Sequence, residues 1–182
     1  MTLRLVFTGP ESTGKTTLAT EFAARLGAPL LAEAARDYAQ APARLGRALT
    51  RADVEPIARL AIAREDEALA GTPPLLVLDT DLVSTVVYAR HYYGSCPIWI
   101  EAEARARRGC LYLLCDIDLP WKADGVRDRP AQREMMLGLF RDTLAEFGCT
   151  VGPVTGIGAT RVRAASAAVE KGGLVIPGTE RA

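Results

Sequence analysis

Between Gly9 and Thr17 the chain reads GPESTGKTT, and this stretch limits the possible folds more than any other. Gly9 and Gly14 stand five positions apart, and Lys15 and Thr16 follow the second glycine, which fits G-x-x-x-x-G-K-[ST]. Glycines let the backbone curl so that successive N–H groups point inward. With the N-terminus of a following helix, those dipoles form a nest for an anion. A lysine here reaches outer phosphates, and a hydroxyl at Thr16 suits a magnesium ion. The pattern works only between a strand and a helix, and its flanks comply. LRLVFT (Leu3–Thr8) is an apolar run that reads as a buried strand. After the loop, Leu18, Phe22 and Leu26 recur at a spacing of four until Gly27 stops the pattern, as one apolar helix face requires.

The rest of the chain keeps this alternation. Short apolar strands are expected at Ala28–Glu33, Leu75–Asp79, Cys110–Cys115 and Thr150–Thr155. Helices are expected at Asp53–Ala70, Asp81–Tyr93, Ile98–Arg108, Gln132–Phe147 and Thr160–Lys171. Strands alternating with helices predict an α/β fold: an open parallel sheet of about five strands wrapped on both faces. A single domain over residues 1–172 and a loosely held tail over 173–182 follow.

Charge adds an exclusion. Lysine plus arginine number 22 and aspartate plus glutamate 22, so no broad cationic surface for long nucleic acid is implied. The four cysteines (Cys96, Cys110, Cys115 and Cys149) form no C-x-x-C pair, and His91 is the single histidine. Buried free thiols are expected rather than zinc, which agrees with a reducing cytoplasm. The N-terminus lacks a basic-then-apolar leader, and no apolar run is long enough to span a bilayer.

A phosphate loop needs an acidic partner for its magnesium at the end of a neighbouring strand. LLVLD (Leu75–Asp79) supplies Asp79. Asp81 either caps the next helix or contacts substrate or metal. Phosphoryl transfer also needs an acceptor site. After the second expected strand the chain reads AEAARDY, and Glu33 and Arg36 are three apart, on one face of a starting helix. Glu33 could accept a hydroxyl proton while Arg36 anchors the acceptor; the alternative is a surface ion pair. Pro120, Gly125 and Pro130 keep DLPWKADGVRDRP out of regular structure. Its Arg127 and Arg129, with Arg133 following, suit a lid that closes over a triphosphate. Trp121 either stacks on a ring or covers the edge of the core.

Together GPESTGKTTLA, EAARDY, LDTD (Leu78–Asp81) and PWKADGVRDR (Pro120–Arg129) resemble the ribosylnicotinamide kinase domain of bacterial NAD-biosynthesis proteins and the single-domain ATP-binding proteins grouped with it. The likeness implies a P-loop kinase fold with an arginine-bearing lid. It implies ATP held by Gly9, Glu11, Ser12, Thr13, Gly14, Lys15, Thr16 and Thr17, with Arg127 and Arg129 closing over it. It also implies magnesium at Thr16 and Asp79, and a nucleoside, nicotinamide riboside by preference, beside Glu33, Arg36, Tyr38, Asp81 and Trp121. Lys15, Glu33, Asp79 and Arg127 would carry the chemistry. Ala32 stands where that family carries a tryptophan. The other readings are a polynucleotide 5′-kinase and a regulatory nucleotide-binding module without an acceptor.

Overall fold

The computed structural model describes residues 2–41, 46–121 and 132–174. Strand β1 (Leu3–Thr8) leads through the glycine-rich loop into helix α1 (Lys15–Leu26). Strand β2 (Leu30–Leu31) and helix α2 (Ala34–Gln40) follow, then a 3-10 turn at Arg51–Asp53 and helix α3 (Val54–Ala70). Next come β3 (Leu75–Asp79), α4 (Leu82–Tyr93), α5 (Ile98–Ala106) and β4 (Leu111–Cys115). The chain continues through α6 (Arg133–Glu146), β5 (Val151–Val154) and α7 (Ala159–Lys171).

The five strands form one sheet in the order β2-β3-β1-β4-β5, and every neighbouring pair is parallel. A parallel sheet is covered on both faces, so its strands read as continuous apolar runs. The burial bears this out. Val6, Leu76, Leu78, Tyr112 and Leu114 point into a core closed by α3, α4, α5 and α6. Leu5, Phe7, Val77, Leu111 and Leu113 point the other way, into a smaller core closed by α1 and α7.

The second strand is shorter than expected. Pro29 has no N–H to give a ladder, although its carbonyl accepts from Val77 N at 3.0 Å. Glu33 already caps α2, so only Leu30 and Leu31 remain extended. The expected tail also differs at its start. Gly173 adopts φ 80°, and Leu174 N–H returns to the Val169 carbonyl at 3.1 Å, which tucks Leu174 into the smaller core. The thiols divide: Cys115 is buried, Cys96 and Cys149 are partly buried, and Cys110, one residue before β4, is exposed. Among the described residues no helix is long and apolar enough to cross a membrane.

Gly9 shows why the loop needs glycine where it leaves β1. Its φ is +130°, and a Cβ there would lie 2.7 Å from the Cys115 carbonyl oxygen on β4. Backbone meets backbone, so no side-chain rotation relieves the clash. Gly9→Ala should therefore cost about 2 kcal/mol or more in urea unfolding. A loss under about 0.5 kcal/mol would mean that this approach is not constrained.

Candidate active site

The strand order sets the site. β1 lies in the middle of the sheet with β3 and β4 on either side, so the loop leaving β1 opens between two strand ends. Phe7 pairs in register with Asp79, which brings the end of β3 level with the loop.

One carbonyl of the loop is bonded by the loop's own side chains. The Pro10 carbonyl accepts from Lys15 Nζ at 2.7 Å and from Thr13 Oγ1 at 2.8 Å. Ser12 takes a left-handed φ of 55°, as does Gly14 with φ 75°. The Gly14 carbonyl starts the helical ladder by accepting from Leu18 N at 3.1 Å. Lys15 is buried, and among the described residues it pairs with no carboxylate, so its charge is available to an anion. Glu11 and Thr13 are buried beneath the loop, whereas Thr16 and Thr17 face outward at the start of α1.

Thr16 Oγ1 donates to Asp79 Oδ2 at 2.6 Å. Asp79 is buried, and its Oδ1 takes no hydrogen bond among the described residues. Burial pushes the carboxyl up from its ordinary range; the Thr16 hydrogen bond pulls it down, the Glu33 charge raises it, and Lys15 and Arg36 lower it. The residues expected for donor and acceptor thus act on one carboxylate. A hydroxyl and an orphaned carboxylate oxygen form an oxygen-only pair, which suits magnesium. Among the described residues no group of three His, Cys, Asp or Glu could hold a metal alone, so phosphate and water would complete its shell.

Glu33 is the N-cap residue of α2, and its Oε2 lies 3.7 Å from Arg36 Nε. The Glu33 side chain is 13% exposed and that of Arg36 is 36%, so the carboxylate is the more enclosed of the two. The Tyr38 hydroxyl donates at 2.9 Å to Asp53, whose carboxylate closes a capping box with Thr50 ahead of α3. Asp81 takes the capping position of α4. Its Oδ1 accepts from Val83 N at 3.0 Å, and its Oδ2 accepts from the Tyr112 hydroxyl at 2.6 Å. A narrow cleft lies beside it, with Ala32, Arg64, Glu65, Thr80 and Asp81 on its walls. Trp121 is partly buried. Arg127 and Arg129 lie outside the described residues.

Two arginines that hold the loop were underestimated by sequence reasoning. Arg161, third in α7, is buried and donates to the Thr13 carbonyl at 2.7 Å. Arg133, expected only as a lid neighbour, is buried at the first turn of α6 and donates to the Ser12 carbonyl at 3.2 Å. One signal was present in the sequence. A cation in the first turn opposes the helix dipole, so its presence there asks for another partner.

Asp81 gives a pH test. Burial raises its carboxyl from 3.8 to about 6, against the opposing hydrogen bonds from Tyr112 and Val83. Between about pH 4 and 6 the folded state then holds a proton that the unfolded chain has lost, so stability falls as pH rises through that window. Relative to Asp81→Asn, the wild type should lose on the order of 2–3 kcal/mol from pH 4 to pH 7 in chemical unfolding. A flat difference would mean that Asp81 titrates normally.

Comparison with known proteins places this geometry in a family. Residues 4–161 match a family model described as an AAA domain. The chain is 29% identical over 148 residues to the trifunctional NAD biosynthesis/regulator protein NadR of Salmonella typhimurium, covering 76% of this chain and 36% of that protein. It therefore spans little more than a third of the length of this relative. The crystal structure of NadR protein in complex with NR superposes with a TM-score of 0.74 at 24% identity, over 98% of this chain and 54% of that one. NadR protein in complex with NAD and AMP-PNP gives 0.73 at 25% identity, over 100% of this chain and 52% of that one. A thymidylate kinase from Ehrlichia chaffeensis shares the fold at 0.69 and 13% identity, over 93% and 97% of the two chains. With its central phosphate loop, parallel sheet and Thr16–Asp79 pair, the chain belongs to this AAA-domain family and has the P-loop kinase fold.

Proposed function

We propose that the chain is an ATP- and magnesium-dependent kinase that phosphorylates the 5′-hydroxyl of a ribonucleoside, with nicotinamide riboside the favoured acceptor. The observation that carries this reading is the position of Glu33. Its carboxylate sits at the start of α2, mostly buried, and acts electrostatically on the same Asp79 that Thr16 and Lys15 approach from the donor side. A nucleotide-binding module without an acceptor has no need of a second buried acid there. The relatives whose names and titles mention NAD biosynthesis and NR support the choice of acceptor. Ala32 gives the acceptor's base no aromatic surface at its position.

The chemistry follows from the residues. The nest of loop amides and the Lys15 ammonium bind the triphosphate and take up charge that spreads over the γ-phosphoryl oxygens. Thr16 and Asp79 would hold magnesium, which supplies charge neutralisation across the phosphates when bound. Arg36 fixes the nucleoside, and Glu33 accepts the 5′-hydroxyl proton. The hydroxyl oxygen forms a bond to the γ-phosphorus as the bond from that phosphorus to the bridging oxygen breaks, and ADP leaves. Asp81 holds α4 against the acceptor cleft and anchors its wall. Arg127 and Arg129 would close over the triphosphate and exclude water.

A panel of ribonucleosides incubated with ATP and magnesium, and read by mass for addition of one phosphoryl group, tests the reading. A phosphorylated nucleoside is expected, and hydrolysis of ATP without any phosphorylated product would refute it. Lys15→Ala should remove transfer, because the outer phosphates lose their fixed cation. Glu33→Gln should bind ATP as the wild type does and transfer about 10²-fold more slowly, the lower end for a lost general base, since the proton moves late in a loose transition state. A rate within about threefold of wild type would remove Glu33 from the mechanism.

A further inference from the structure

Arg133 and Arg161 do more than tie α6 and α7 to the sheet. We propose that they are positioning residues for the phosphate site, each aiming one backbone amide of the loop at the bound anion. In a planar trans peptide the carbonyl of one residue and the N–H of the next point in opposite directions. Fixing a carbonyl outward therefore fixes the following N–H inward. Arg133 Nη2 donates to the Ser12 carbonyl at 3.2 Å, and this peptide carries the Thr13 N–H. Arg161 Nη2 donates to the Thr13 carbonyl at 2.7 Å, and this peptide carries the Gly14 N–H. The two guanidiniums thus grip consecutive peptides at the centre of the nest.

Both forks are themselves fixed. Arg133 Nη1 donates to the Leu119 carbonyl at 3.0 Å. Arg161 also donates to the Asp116 carbonyl at 2.8 Å and to the Gly156 carbonyl at 3.0 Å, and pairs with Asp118. Its side chain is 4% exposed. The anchoring points lie just beyond β4 and β5, so strand ends on one side of β1 set the orientation of the loop. Only a planar fork reaches two carbonyls at once in this way; a lysine offers a single point donor. Ser12 needs such support, because a non-glycine residue at φ 55° is a conformation that the chain does not hold by itself.

Direct contact of either guanidinium with phosphate is not part of the proposal; both act through the backbone. That separates it from a general electrostatic effect, which a lysine would preserve. It is also independent of the acceptor, because it concerns only the loop.

The test uses the whole chain labelled with 15N and titrated with inorganic tripolyphosphate. Affinity is read by calorimetry, and the amide resonances of Thr13 and Gly14 are followed. In the wild type both amides should shift on binding. Arg161→Lys keeps the charge and should weaken binding by about ten- to a hundredfold, the loss of one hydrogen bond to a charged group, with the Gly14 response reduced most. Arg133→Lys should reduce the Thr13 response most. A purely structural part would lower the melting temperature while affinity stays within about twofold and both amide responses persist; that result overturns the proposal. Weaker binding with unchanged amide responses overturns it too, since the loss would then not pass through the peptides. If Arg161→Lys does not fold, Arg133→Lys carries the decision through the Thr13 resonance.

Discussion

A single hydrogen bond, 2.6 Å from Thr16 Oγ1 to Asp79 Oδ2, joins the two halves of this molecule's chemistry. It can form only because β1 and β3 are parallel neighbours whose C-terminal ends stand level, Phe7 against Asp79. Parallel pairing needs a crossover, and the intervening chain from α1 to α3 provides it while covering both faces of the sheet. Insertion of β1 between β3 and β4 then puts the loop over the middle of the sheet, where ligands of open α/β folds bind. Glu33, the N-cap of α2 just after the edge strand β2, acts electrostatically on the same Asp79.

Charge is distributed to suit an anion that arrives with a cation. Lys15, Arg133 and Arg161 surround the loop and are each held on backbone carbonyls of Pro10, Ser12 or Thr13. Asp79 is the buried acid on the opposite side, and burial holds its carboxyl above the ordinary range. A hard cation between that carboxylate and a polyphosphate would offset the desolvation that burial imposes.

Much of this was legible in the sequence, for physical reasons. Strands buried on both faces must be continuous apolar runs, so β1, β3 and β4 stood out, and LLVLD ended on Asp79. The phosphate loop was readable because only glycine satisfies the backbone at Gly9 and Gly14. Of the two readings left open for Asp81, the capping contact forms, because the side chain of an N-cap acts locally. What failed was partly local and partly a matter of distance in the chain. β2 shrank because Pro29 and the start of α2 took its residues. The grip of Arg161 on Thr13 spans 148 positions, and no local pattern encodes it. The bond from the Tyr38 hydroxyl to Asp53 spans 15 positions, and no local pattern encodes it either. The strand order itself is set by which faces pack together, not by any one strand.

The central claim is that Thr16 and Asp79 form the seat of a magnesium ion shared with bound ATP. The direct measurement is the thermodynamic coupling between magnesium and ATP, from ATP affinities with and without the ion, in wild type and in Asp79→Asn. The account predicts that magnesium tightens ATP binding in the wild type and that this enhancement falls about tenfold or more when the carboxylate becomes an amide. An enhancement that is unchanged in a folded Asp79→Asn protein would contradict it.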